Sequence, residues 1–182
     1  EALRAGETRG ENPLRVSLNG VWRFHHALNL NQLLDGCMAA DYDCTHWESI
    51  RVPGHIQMQG YGTPQYVNTM YPWDGREHVE RGEVPQDYNP VATYVRYFDL
   101  PEGWASDRVI VRFNGVESAY ALWVNGSYIG YATDSFTPSE FDLTAALQEG
   151  ENKLTVQVFR FSSSTWAEDQ DFFRFSGIYR DV

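Results

Sequence analysis

The sequence predicts an all-β fold, an antiparallel β-sandwich of the jelly-roll kind with one or two short helices. Three observations carry this. Short segments of alternating polar and apolar residues recur along the chain, an Asn-Gly pair separates two of them, and helical patterning is confined to two brief stretches. Many short strands joined by long connections suit two packed antiparallel sheets.

Taken in order, residues 20–25 alternate and predict the first strand. Residues 31–39 (NQLLDGCMA) predict a helix of about two turns. From Asp74 to Pro90 runs a charged stretch with two prolines and no periodicity, and loops of that length inside a domain are usually functional or mobile. Residues 93–100 and 108–113 alternate again. Ala119–Val124, then Asn125-Gly126, then Ser127 to Tyr131 predict a tight hairpin, because Asn-Gly supplies the two positive-φ positions of a type I′ turn. Its first strand sets Tyr120, Leu122 and Val124 on one face, with Ala119, Ala121 and Trp123 on the other. Residues 142–148 predict the second short helix, with Asp142 as N-cap and Gly150 as its stop. In residues 153–161, Leu154, Val156 and Val158 share a face opposite Thr155 and Gln157. Residues 177–182 predict a final strand that reaches the last residue.

Composition bounds the function. The 182 residues are 42% hydrophobic and 15% aromatic, far from the composition of a solvated coil. A net charge of −11 argues against nucleic acid and anionic membrane as partners, which both need a basic footprint. The longest apolar run is six residues, Ala119 to Val124, too short to span a bilayer. Two cysteines, Cys37 and Cys44, make no disulfide framework and read as free thiols of a reducing compartment. Residues 1–12 form a polar N-terminal extension without the apolar core of a signal peptide, and residues 13–182 a single domain. With no initiating Met and an end inside a strand-like segment, the chain reads as a piece of a longer, cytoplasmic polypeptide.

Asp169-Gln170-Asp171 sets two carboxylates on one side of an extended segment, about 6.5–7 Å apart at Cα. Such a pair serves a retaining glycosidase or a hard cation, or else consists of two solvated loop acids. Trp166, Phe172, Phe173 and Phe175 crowd the acids, an apolar setting that perturbs a carboxylate unless Arg174 or a cation compensates. In Tyr66-Val67-Asn68-Thr69-Met70-Tyr71-Pro72-Trp73, Asn68 offers both donor and acceptor to a sugar hydroxyl, or bonds its own backbone in a loop with core aromatics. Glu140 and Asp142 read as structural, Asp142 capping the turn and Phe141 anchoring it. The five histidines show no metal-ligand spacing.

These residues also form an ordered series. Ser17-Leu18-Asn19-Gly20-Val21-Trp22-Arg23-Phe24, Val52-Pro53-Gly54-His55, Gly60-Tyr61-Gly62-Thr63-Pro64, Tyr66-Val67-Asn68-Thr69-Met70-Tyr71-Pro72 and Asn89-Pro90-Val91 open it. Phe113-Asn114-Gly115-Val116, Trp123-Val124-Asn125-Gly126, Pro138-Ser139-Glu140-Phe141-Asp142-Leu143 and the closing Glu168-Asp169-Gln170-Asp171-Phe172-Phe173-Arg174-Phe175-Ser176-Gly177-Ile178 continue it. In that order, from about Pro13 to Val182, the chain resembles the start of the LacZ-type β-galactosidases of glycoside hydrolase family 2. The resemblance thins between Asp74 and Pro90, Val67 stands where many relatives have Thr, and Phe172-Phe173 where some have Met-Trp.

The resemblance implies the family's galactose-binding-like jelly-roll domain, followed in the family by an immunoglobulin-like domain and a TIM barrel. Two barrel glutamates there perform retaining hydrolysis of terminal β-D-galactosyl bonds, as in lactose, so this piece is expected to be non-catalytic. It implies that Asn68 hydrogen-bonds galactosyl hydroxyls. It implies that Asp171 ligates a sodium ion and touches the galactosyl 6-hydroxyl, a partial site that the barrel completes. Magnesium is expected on the barrel. The expected partners are thus a β-galactoside and the absent domains, with a homo-oligomeric parent as a further expectation. The alternatives are the same domain of a β-glucuronidase or β-mannosidase, and a free-standing carbohydrate-binding module.

Overall fold

A computed structural model describes residues 14–104, 107–168 and 171–182. The extension 1–12 and two members of the acid motif, Asp169 and Gln170, lie outside the described residues. The strands are β1 (Gly20–Ala27), β2 (Glu48–Val52), β3 (Gln65–Val67), β4 (Val91–Asp99), β5 (Ile110–Phe113) and β6 (Val116–Glu117). After these come β7 (Ala119–Val124), β8 (Ser127–Ala132), β9 (Ser139–Asp142), β10 (Glu151–Phe159), β11 (Phe172–Arg174) and β12 (Gly177–Ile178). The fold is an all-β sandwich, as the alternating segments predict.

One antiparallel sheet of six strands, ordered β2-β1-β4-β10-β7-β8, forms the main layer. Three two-stranded ladders, β5–β9, β6–β12 and β3–β11, complete the structure. Between the layers, Leu154, Val156 and Val158 of β10 pack with Tyr120, Leu122 and Val124 of β7, and with Val111, Phe113, Val116 and Ile178 from the facing ladders. The faces are those that the period-two reading assigns. Burying this apolar set is the main favourable term of the fold. The hairpin closes through Asn125 (φ 51°) and Gly126 (φ 84°), the two left-handed positions of the turn.

The opposite face of the main sheet is covered as well. Thr155, Gln157 and Lys153 are all buried, and Lys153 Nζ donates to the carbonyl oxygens of Cys37 (3.2 Å), Ala39 (2.6 Å) and Tyr42 (3.2 Å). The segment that precedes β2 therefore lies against β10 through backbone carbonyls bonded to one ammonium. This explains why the helix predicted over 31–39 is not there. Asn29 Oδ1 accepts the Asn31 N–H, a 3-10 turn occupies Leu30–Gln32, and Gly36 (φ 70°) turns the chain so that its carbonyls reach Lys153. The second predicted helix is likewise a 3-10 turn, Thr144–Ala146, with Asp142 Oδ1 accepting from the Thr144 backbone (3.0 Å) and hydroxyl (2.6 Å). Asp142 also pairs with Arg108, and these bonds hold its carboxyl down at about 2, the structural role expected of it. A four-residue helix, α1 (Thr165–Glu168), has no counterpart in the sequence reading.

The final strand is only two residues long, although the chain after it continues along the stretch before β6 and changes partner at Val182. Tyr179 donates its N–H to Gly115, while the carbonyls of Asp181 and Val182 accept from Asn114 and Leu18. Cys37 and Cys44 are buried and free. Among the described residues no helix is long and apolar enough to cross a membrane.

Replacing Lys153 with Met should lower unfolding stability by about 2–4 kcal/mol, because one buried and two partly buried carbonyls lose their donor. Denaturant titration with limited proteolysis of the 28–47 segment measures this; an unchanged midpoint would show that the carbonyls do not depend on the ammonium.

Candidate functional site

The β3–β11 ladder has three residue pairs, Gln65 with Arg174, Tyr66 with Phe173 and Val67 with Phe172. Asn68 follows Val67 and Asp171 precedes Phe172, so the two predicted site residues stand at the same end of one ladder. Both are exposed. Sequence distance of more than a hundred residues is thereby reduced to neighbouring chain ends.

Asp171 sits at φ 50°, immediately before β11 begins at Phe172, while the i, i+2 reading of the acid pair falls on Asp169 and Gln170 and lies outside the described residues. Aspartate tolerates this left-handed position better than most residues. Its Oδ1 accepts a hydrogen bond from the Tyr66 hydroxyl, from the facing strand. That carboxylate pushes the Tyr66 phenol above its ordinary range. No hydrogen bond to the Asn68 side chain is present among the described residues, so its amide is not consumed by the loop backbone.

The aromatic setting divides. Tyr66, Phe172 and Phe173 are exposed, with Phe173 against Tyr66 (5.2 Å between centroids) and Phe172 against Phe136 (5.8 Å). These rings form an open rim beside the two polar groups. Trp166, by contrast, packs on Tyr71 (4.4 Å) and Trp73 (4.9 Å), supporting the loop after Asn68 rather than crowding the acid. Its indole N–H donates to the Glu83 carbonyl (2.7 Å), fastening the charged 74–90 stretch to α1. Glu77 folds the same stretch back by accepting from the backbone of Gln86 and Asp87.

Beneath the ladder lies a buried polar layer that the sequence reading did not single out. Arg160 is buried and donates to the carbonyls of Thr63 (2.9 Å) and Arg174 (3.4 Å), joining the base of β3 to the base of β11. Its burial lowers the guanidinium below its ordinary range. Gln57 takes the Ser176 N–H (3.0 Å) and donates to the Ser176 hydroxyl (2.8 Å). Glu117 Oε1 accepts the Phe175 N–H (3.2 Å). Arg174, which the sequence reading offers beside a cation as compensation for the acids of the motif, is close enough to Glu117 and Glu168 to favour their charged forms. The only sequence signals for Arg160 and Glu117 are charges set inside apolar runs, Phe159-Arg160-Phe161 and Val116-Glu117-Ser118.

Chemically, the ladder end offers one amide, one carboxylate and an aromatic rim, a set suited to a polyhydroxylated ligand. Among the described residues no group of three His, Cys, Asp or Glu could hold a metal alone. A cleft of about 260 Å³, lined by Phe98, Trp104, Val109, Leu143 and Val182 among others, contains neither Asn68 nor Asp171.

Comparison with known proteins bears on the family and the fold. A family model described as glycosyl hydrolases family 2, sugar binding domain, matches residues 15–182. A β-galactosidase of Halalkalibacterium halodurans is 54% identical over 178 residues, 97% of this chain and 18% of that protein. A β-galactosidase large subunit of Latilactobacillus sakei is 47% identical over 100% of this chain and 31% of its own length. The chain thus spans less than a third of either relative. Among solved structures, a β-glucuronidase of Bacteroides uniformis superposes with a TM-score of 0.66 over 91% of this chain and 17% of that one, at 23% identity, a likeness of fold.

Arg160→Met should destabilise the chain by about 3–4 kcal/mol, since a buried donor to two carbonyls is removed. Hydrogen exchange should accelerate first at 65–67 and 172–174; protection there equal to the wild type would show that the ladder holds without the guanidinium.

Proposed function

The chain belongs to the sugar-binding domain family of the family 2 glycosyl hydrolases, and from that premise we propose that it is the non-catalytic N-terminal wall of a retaining β-galactosidase's galactosyl site. The supporting observation is the placement of Asn68 and Asp171 at one end of one ladder, both exposed, with the Asn68 amide uncommitted. The β-galactosidase names of relatives at 47–54% identity favour galactose over glucuronic acid or mannose.

In this reading Asn68 donates to one galactosyl hydroxyl and accepts from another, which orients the ring without taking part in bond cleavage. Asp171 acts through its second oxygen, because Tyr66 occupies the first. That oxygen is one hard, anionic ligand, appropriate to sodium and to a sugar hydroxyl sharing the ion. The described residues do not complete such a site, so the remaining oxygens come from the rest of the parent chain, which also carries any magnesium. A sodium ion supplies positive charge that fixes a sugar oxygen, and Tyr66 keeps the carboxylate from rotating away. The exposed rings of Phe172 and Phe173 line the approach. Hydrolysis itself, in this reading, belongs to two carboxylates of the parent's barrel, one acid/base and one nucleophile. A parent in the cytoplasm suits the two free, buried thiols.

Two groups are too few to bind a sugar alone. Each hydrogen bond contributes about 0.5–1.5 kcal/mol net, against an association cost of at least about 4 kcal/mol. Calorimetry of this chain with galactose or lactose should therefore show no measurable heat, whereas millimolar or tighter binding would favour a free-standing carbohydrate-binding module.

In the full-length enzyme, Asp171→Ala should raise KM for a β-galactoside at least about 10-fold and abolish the response to sodium, and Asn68→Ala should lower kcat/KM about 10- to 100-fold. Steady-state kinetics on nitrophenyl galactoside, glucuronide and mannoside read both the variants and the sugar class. Unchanged kinetics and sodium response in both variants would remove the site assignment.

A further inference from the structure

Glu117 lies on β6, whose partner in the ladder is Gly177 of β12. Its side chain is almost wholly buried. One oxygen, Oε1, accepts the Phe175 N–H at 3.2 Å. The other, Oε2, faces His55 Nδ1 at 3.9 Å, and that nitrogen has no hydrogen-bond partner among the described residues. The imidazole is fixed from both sides, stacked on Tyr179 (4.9 Å, 8° between planes) and tilted against Phe175 (4.6 Å). Phe175 directly follows β11, the strand that carries Asp171 at its other end.

We propose that Glu117 is a positioning residue for the sugar-facing end of β11, gripping the strand through the Phe175 N–H when ionised and loosening that grip when it takes up a proton. The inference rests on the reading of Asp171 as a sugar and sodium contact. Its geometry is a choice between two bonds. A charged carboxylate accepts the Phe175 N–H more strongly than a neutral carboxyl does. A proton on Oε2 points at the lone pair of His55 Nδ1, and an O–H···N bond of ordinary length requires the 3.9 Å gap to close by about an ångström. Closing it draws Oε1 away from Phe175. The proton remains on Glu117, so no other group need change its charge.

The surrounding groups put this choice near neutrality. Burial raises the Glu117 carboxyl to about 7, opposed by the Phe175 N–H and by the guanidiniums of Arg174 on β11 and Arg160 after β10, and reinforced by Glu168 of α1. Tyr179 also faces it, with its own phenol pushed up by burial. Burial lowers His55, so the imidazole is neutral and available as an acceptor when Glu117 titrates. The sign for stability follows: a carboxyl raised in the folded state favours folding below its unfolded value, 4.5, and that contribution is lost as pH rises to about 7. The gripping form is thus the less stable one.

Glu117→Gln, made in the full-length enzyme, mimics the protonated form, since its amide N–H can reach His55 Nδ1. Wild-type KM for a β-galactoside should fall through an inflection near pH 7 as pH rises from 6 to 9. E117Q should show a flat KM about 3- to 10-fold above wild type at pH 8, with kcat retained. A purely structural role would lower the thermal midpoint without removing the inflection. Identical KM profiles in E117Q and wild type overturn the proposal. Should E117Q fail to accumulate, the wild-type half-saturation for sodium across the same range decides, because a value independent of pH overturns it equally. Asp171→Ala, measured in parallel, keeps the two readings apart: an unchanged KM there removes the sugar contact, while the difference in pH dependence of thermal unfolding between wild type and E117Q still reports the Glu117 proton.

Discussion

The bonds from the Arg160 guanidinium to Thr63 and Arg174 are what the site rests on. A two-stranded ladder of three pairs has little stability of its own in water. The β3–β11 pair exists because its base is tied, through Arg160, to the end of β10, the strand with the longest ladders in the main sheet. The tie is polar and buried, which makes it directional. Apolar packing at the same place would allow the ladder to slide, and a shift of one residue would turn Asn68 or Asp171 to the other face.

The same logic explains why so much charge lies inside this sandwich. Lys153, Arg160, Arg174 and Glu117 are each at most 3% exposed. Taking these groups from water costs several kcal/mol apiece unless each is bonded. Lys153 is met by three carbonyls on the outer face, and Arg160 by two carbonyls and a tyrosine hydroxyl on the site side. Lys153 uses its charge to organise irregular backbone, and Arg160 to join the loop at Thr63 to the last residue of β11. Segments too irregular to satisfy their own carbonyls can be held against a sheet only by donors that reach out from it.

This division also sets what could be read from the sequence. The hairpin at Asn125-Gly126 was legible because its signal is local, two left-handed positions between alternating strands. The inward faces of β7 and β10 were legible for the same reason. The segment 31–39 was not, since its conformation is decided by Lys153 more than a hundred residues away, and its leucines mimic a helical face. The final strand fails similarly, with Tyr179 and Asp181 bonding to Gly115 and Asn114 while Val182 bonds to Leu18 at the other end of the chain. Of the site, Asn68 and Asp171 were accessible through a motif, but their convergence is a property of register alone. Tyr66 stands in the same motif and Arg160 and Glu117 show as charges inside apolar runs, but what these three do depends on partners brought by the fold.

Asp171 combines two requirements that ordinarily conflict. A carboxylate that meets a cation and a hydroxyl must be exposed, yet its orientation must be fixed before the ligand arrives, or binding must supply the ordering entropy. A backbone at φ 50° with a tyrosine hydroxyl on one oxygen meets both conditions. The left-handed conformation costs on the order of 1 kcal/mol and persists only where the surroundings determine it. Here they do so from the far end of the strand, through Phe175, Ser176 and Arg174, each bonded to a buried side chain. The bonds that hold β11 are thus at its base, which makes the base, rather than the rim, the place where the site can be tuned.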